Sequence, residues 1–362
     1  YNIELSSNTA NGKYRNYDIS YGLRLSGNLT GVNFVNNASI IGEMSSSGSD
    51  DGYGFGIYNT GAIGNVANAG EISGTGSSSS GSSEGHGIVN NLGTMGAITN
   101  IGIISGTGKG DGSGTGIVNN SGIIGKIENA GTISGIGSSS SGKGIGYGIF
   151  NISNVKKMGN ITNKMGNITN AGIISGTGKS DGSDDGTGAG IYNDSSTMGK
   201  ITNIGIISGA GKGDGSHGFG YGINNLGTME NIINTGVISG TGNSSNSSGS
   251  GIVNYRLGTM GNIENAGLIS GYGTSSSGDG SGIHNDSSCK IGAITNTGVI
   301  YGTDNAIKND SGTIGASSNY GILVNGNGNN NKVIDGLDIV GETPTDNQIL
   351  NKGLIFTALD TG

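Results

Sequence analysis

Acidic side chains are the first candidates for chemistry in this chain. Asp50, Asp51, Glu84, Asp111, Asp181, Asp184, Asp185, Asp214 and Asp279 all fall in stretches rich in Gly and Ser. Cleaving a polysaccharide needs several carboxylates, or carboxylates with Arg or Lys, converging on one groove at fixed separation. Flexible Gly/Ser loops cannot hold such a separation, so solubility is the favoured reading and no catalytic residue is assigned. Calcium would need oxygen ligands converging from neighbouring loops, and the Gly-Gly-x-Gly-x-Asp phrase of calcium rolls is missing. His86, His217 and His284 lie at different phases, without a Cys or His partner nearby, and read as surface or corner residues. Lys109-Gly-Asp-Gly, Lys179-Ser-Asp-Gly and Lys212-Gly-Asp-Gly lack the full Gly-x4-Gly-Lys-Ser/Thr pattern of a phosphate loop. The chain is therefore expected to hold no metal and no cofactor, and to be no enzyme.

Recognition asks less of a surface than catalysis does. The residue after the opening Ile of each repeat is Tyr58, Val89, Val118, Phe150, Tyr192, Asn224, Val253, His284 or Lys308. The first five, Tyr58, Val89, Val118, Phe150 and Tyr192, form an apolar stripe that could dock a partner or stack on a sugar. The favoured alternative is that these bulky residues steady a strand face by stacking on each other. A second row, Ser73-Gly-Thr75, Ser105-Gly-Thr107, Ser175-Gly-Thr177 and Ser239-Gly-Thr241, has the paired hydroxyls of an ice-matching face. Ile136, Ala210 and Tyr272 interrupt it, which makes ice binding a minor alternative.

What positions these residues is a repeat. The phrase Asn-x-Gly-x-Ile-Ser-Gly recurs with its Asn at Asn68, Asn100, Asn129, Asn170, Asn203, Asn234, Asn265 and Asn296, and in degenerate form at Asn37. Such periods mean stacked coils. Within Gly56-Ile-Tyr-Asn-Thr-Gly-Ala-Ile-Gly-Asn-Val-Ala-Asn-Ala-Gly70 a smaller phrase, apolar-x-Asn-x-Gly-x-Ile, occurs twice. Asn and Gly tolerate the left-handed backbone of a sharp corner, and the short β-branched runs between corners read as strands. Stacked at about 4.8 Å per coil, these strands align Ile57 under Ile88 and its successors, and Ile72 under Ile104 and its successors. Further columns pass through Ile63 and Val66. Each buried Ile contributes about 2 kcal/mol. Asn59, Asn90, Asn119 and Asn151 should form an amide ladder at one corner.

The fold expected is all-β: a right-handed parallel β-helix, or β-solenoid, of about 10–12 coils and about 50 Å long. Residues 1–36 read as irregular capping coils, 37–315 as the repeat array, and 316–362 as degenerate coils. Variable stretches such as 77–84, 109–113, 138–143 and 243–250 read as surface loops leaving from one side. The doubled MGNITN, at 158–163 and 165–170, should bulge outward.

Composition narrows the function further. Of 362 residues, 79 are Gly and one is Pro, yet the Ile positions are in register, which argues against a disordered linker. A net charge of −8 with thinly spread basic residues gives no footprint for nucleic acid. No apolar run could span a bilayer. Cys289, the sole cysteine, can form no internal disulfide. The opening residues show no signal peptide, and the missing initial Met suggests an excerpt or a processed product that continues beyond residue 362.

The phrases Gly-Ile-x-Asn-x-Gly-x-Ile and Ile-x-Asn-x-Gly-x-Ile-Ser-Gly resemble those of passenger domains in Gram-negative autotransporters, the type V secreted proteins. The resemblance covers residues 32–325. It implies a cell-surface or extracellular location at the Gram-negative outer membrane, with a separate C-terminal β-barrel for anchoring. It also implies an adhesin or structural stalk, monomeric, that binds a host-cell protein or glycan, or another bacterial cell. The alternative is a phage tail-spike or secreted polysaccharide-degrading β-helix. If the columns are right, Ile133→Asp should destabilise the fold by more than about 4 kcal/mol, because it buries an unpaired carboxylate. Denaturant titration checks this, and matching midpoints would contradict the column assignment.

Overall fold

The computed structural model describes residues 2–5, 12–14, 19–46, 51–153, 163–214, 217–244, 247–274, 280–326 and 332–357. It is all-β among these residues, a parallel β-solenoid of about ten turns. One antiparallel pair, Gly12–Tyr14 against Ile19–Leu25, lies near the N-terminus.

One turn shows the logic of all. Ile173–Ser180 runs outward, Gly186–Asp194 returns, and the short strands Thr197–Met198 and Ile201–Asn203 complete the circuit. Strand alternation sends Ile174, Ile191, Met198 and Ile201 inward, and all four are fully buried. Each lies over its equivalent in the next coil: Ile174 on Ile207, Ile191 on Ile223, Met198 on Met229 and Ile201 on Ile232. The expected columns are all present, and Met shares the Ile63 column at Met95, Met165, Met198, Met229 and Met260. Of the doubled MGNITN, the second copy fills the core. The first, apart from Asn163, lies outside the described residues, as do Asp50 and Asp279.

Two ladders of asparagine hold the corners. Through Asn59, Asn90, Asn119, Asn151, Asn193, Asn225, Asn254, Asn285 and Asn309, each Nδ2 donates to the next Oδ1 at 2.8–3.0 Å. The second ladder runs from Asn36 through Asn68, Asn100 and Asn129 to Asn351 at 2.7–2.8 Å. Asn36, and not Asn37, stands over Asn68. The same amides satisfy corner carbonyls; Asn100 Nδ2 reaches Gly102 O and Thr132 O, both at 3.1 Å.

Two expectations are corrected. Asn and Gly at the Asn-x-Gly corners do not adopt positive φ; Leu92, Ser121, Ser195, Ser288 and Ser311 do, in the longer corners that follow the first ladder. Asn is needed there for its amide. Gly is needed for space, since a methyl group on Gly102 would collide with the Gly70 carbonyl of the preceding coil.

The second correction concerns the Gly/Ser stretches, which are loops only at their tips, such as 140–143 and 181–185, and otherwise belong to strands. Strands Glu71–Asn91 and Ile103–Asn120 run through them, and the chain doubles back between Ser77 and Ser82 where the pairing shifts register. Outgoing and returning strands lie back to back as a thin fin whose interior is glycine next to the core and small buried serines such as Ser83, Ser139 and Ser180 towards the tip. A side chain at Gly135 would strike the Tyr147 carbonyl of its own turn, and one at Gly146 the Thr177 carbonyl of the next. Where fin meets core, the glycine before each Ile drops out of the pairing, as Gly190 does between Ala189 and Ile191. That break in the pairing, repeated in each turn without a shift of register, lets glycine and the Ile next in sequence both face inward, one into the fin and one into the core.

Gly146→Ala should therefore destabilise the protein by about 1–3 kcal/mol, the usual effect of overpacking. Urea denaturation tests this. An alanine variant as stable as the parent would mean that the two sheets of the fin are not in backbone contact.

Candidate binding face

The outer face of the returning strands carries the stripe read from sequence. Tyr58, Val89, Val118, Phe150 and Tyr192 are consecutive neighbours in the parallel register. They alternate with a second column that sequence inspection passed over: Tyr21, Phe55, His86, Thr115, Tyr147, Ala189 and Tyr221. A third column farther out adds Ile19, Tyr53, Ile145 and Phe219. The missed signal was the x in Gly-x-Gly-Ile, which is aromatic in several turns; it was hidden because that tract was read as loop.

The rings collect in two ridges. Phe55 packs on Tyr21, Tyr53 and Tyr58 with centroids 5.7, 6.5 and 5.3 Å away. Three turns farther on, Tyr147 contacts Phe150 at 5.0 Å and Tyr192 at 4.9 Å, and Phe150 meets Tyr192 edge-on. Between them Val89, Val118 and Thr115 are shorter, leaving a depression of about 170 Å³ beside Phe55, Tyr58 and His86. Its far edge is polar: Asn91 Nδ2 donates to Tyr58 Oη at 2.8 Å, and Asn120 Nδ2 to Asn91 Oδ1 at 3.0 Å.

Mutual stacking covers much of this face. Val89, Val118, Phe55 and Tyr147 are buried, while Tyr58, Phe150 and Tyr192 remain half-exposed. The face thus steadies the strands and still offers half-exposed rings at each ridge.

The polar candidates settle into local pairs. Each histidine has a carboxylate: His86 Nε2 with Glu84 at 3.4 Å, His217 Nδ1 with Asp185 at 3.3 Å, and His284 Nε2 with Asp310 at 3.0 Å. The hydrogen bond with His86 holds Glu84 below the usual carboxylate range. Lys179 pairs with Asp181 and Lys212 with Asp214 on successive turns, which lowers Asp181 and raises Lys212. Asp51 accepts from Tyr53 Oη at 2.9 Å and Ser82 N, and Asp111 from Ser139 Oγ at 2.6 Å. Glu84 and Asp111 lie in strands, whereas Asp51, Asp181, Asp185 and Asp214 sit in the turns just beyond strand ends, and all are dispersed along the fin. The Ser/Thr row on the fin's other face is broken in register by Ile136, Ala210 and Tyr272. Burial raises Cys289 as well.

An apolar stripe on another corner was also missed. Ile173, Ile206, Val237, Leu268, Val299, Ile322 and Leu354 follow each other in register, with Ile173, Ile206 and Leu354 exposed. No described helix is long and apolar enough to cross a membrane.

Burial, helped by the Asp194 carboxylate, pushes Tyr192 up to about 12, and burial with the hydrogen bond to Asp51 does the same for Tyr53. Burial raises Tyr147 further still. An unfolded phenol ionises near 10.0, so these groups leave stability intact below pH 10 and erode it as pH rises from there towards about 12. Ultraviolet titration should show a late-ionising class of tyrosines. Simultaneous ionisation of all phenols would contradict their packing.

No protein-family model, curated protein or solved structure matches this chain.

Proposed function

We propose that this chain is a rigid display segment of the autotransporter-passenger kind, secreted or held at the Gram-negative cell surface. It works as an adhesin or stalk by presenting its ridged aromatic face to a host-cell protein or glycan, or to another bacterial cell. The observation that carries this reading is the alignment of Tyr58, Val89, Val118, Phe150 and Tyr192 on one sheet face, with half-exposed rings flanking a depression. Ring faces and edges beside amide groups suit the apolar patches and hydroxyls of sugars. A catalytic role is disfavoured because the acids of the fin are taken up by Lys, His, Ser or Tyr, and Asp181 and Asp214, which meet on successive turns, each carry a lysine partner.

The test replaces Tyr58, Phe150 and Tyr192 together with Ser and measures binding to host cells and immobilised glycans, with circular dichroism and melting as checks on folding. A drop of about tenfold or more is expected, in keeping with loss of anchor side chains. Unchanged binding by a folded triple variant removes the proposal.

A further inference from the structure

Near the last full turns the aromatic column ends, and the chemistry of this face changes. The position held by Tyr58 and Tyr192 is occupied by His284 and then Lys308, which are direct neighbours in the register. One step past the ladder asparagines Asn285 and Asn309 come Asp286 and Asp310. Their backbone N–H groups bond to Asn254 O and Asn285 O, both at 2.9 Å, so the two aspartates hold equivalent places in successive turns. His284 and Asp286 flank an inward-facing Asn and share the outer face. One ligand atom from each of His284, Asp286 and Asp310 lies within 4.8 Å of the other two, and all three residues are half-buried.

We propose that His284, Asp286 and Asp310 form a binding site for a divalent transition-metal ion of the zinc class. One imidazole nitrogen and two carboxylate oxygens are a donor set suited to such ions. Bonds of about 2.0–2.2 Å put neighbouring donors about 3–3.5 Å apart. Asp310 Oδ2 already stands 3.0 Å from His284 Nε2, so only Asp286 has to close in. The stacked carboxylates bring two negative charges to one spot. Lys308 Nζ, 3.4 Å from Asp310 Oδ2, is the cation now beside them. A metal ion takes its place, and Asp335, beside Lys308 in the following turn and paired with Lys332 Nζ at 2.9 Å, is the next carboxylate in that column. His86 and His217 each meet one carboxylate; His284 meets two. Sequence spacing concealed the set because Asp310 is 26 residues away from His284.

The experiment is a calorimetric titration of the chelator-stripped chain with zinc, repeated with cobalt to read its visible ligand-field bands. The expected result is one ion per chain with a dissociation constant at or below about 10 μM, or about −7 kcal/mol. His284→Ala and Asp310→Asn should each weaken binding at least about tenfold, the effect of losing a ligand or its orientation. Lys308→Ala should bind several-fold tighter, because the competing cation is gone. Melting curves verify that the variants fold. Absence of one-to-one binding, titrations of the His284 and Asp310 variants that overlay the parent's, or unchanged or weaker binding in Lys308→Ala overturns the proposal.

Discussion

Backbone hydrogen bonds in this protein run along the stack, so every turn must present the same groups at the same height as the last. The corners are where that requirement bites hardest. A strand that bends leaves carbonyls pointing away from the ladder, and a buried unpaired carbonyl is costly. Asn is short enough to fit there, and its Nδ2 bonds both the corner carbonyls and the next Oδ1. An apolar side chain of similar size could fill the space but would leave those carbonyls without a donor. The Ile and Met columns depend on this, since corners held at constant height keep each inward side chain over its equivalent.

The glycine fin is the other half of the design, and it has the opposite energetics. Its interior holds glycine and a few buried serines but no apolar side chains, so it gains little from the hydrophobic effect, and ordering glycine is entropically unfavourable. It persists because its strands are continuous with strands anchored in the core, and because each hydrogen-bonds to the turns on either side. The turn from Ile300 to Ile307 shows the limit: Gly302 packs against the Asn305 carbonyl and the fin is a single glycine deep. The fin can shorten or lengthen without disturbing the core, which accounts for the variable repeat length apart from the turn that carries the doubled MGNITN.

The columns were legible because Ile57, Ile72, Ile63 and Val66 recur at fixed phase and burial enforces that phase. So was the ladder through Asn59, and so was the stripe containing Tyr58 and Phe150. The fin was not, because Gly-x-Gly serves a flexible loop and a close-packed strand equally well; only a second backbone pressed against it tells them apart. The left-handed corner was assigned to Asn and Gly by propensity, whereas the first ladder fixes the asparagine conformation and passes the strain to Leu92 or Ser121. Carboxylate partners of His217 and His284 escaped notice for a simpler reason: they arrive from an adjacent turn, and that adjacency exists only once the coils are stacked.

Both amide ladders share one direction, with Nδ2 of the earlier turn always donating to Oδ1 of the later one. Side-chain amide dipoles therefore add along the axis, and the two ends of any partly formed array differ. The end facing the N-terminus shows oxygens, while the end facing the C-terminus shows N–H groups awaiting acceptors. A chain laid down from its N-terminus would meet a ready donor with each new asparagine, which makes the rod a one-way template for its own assembly.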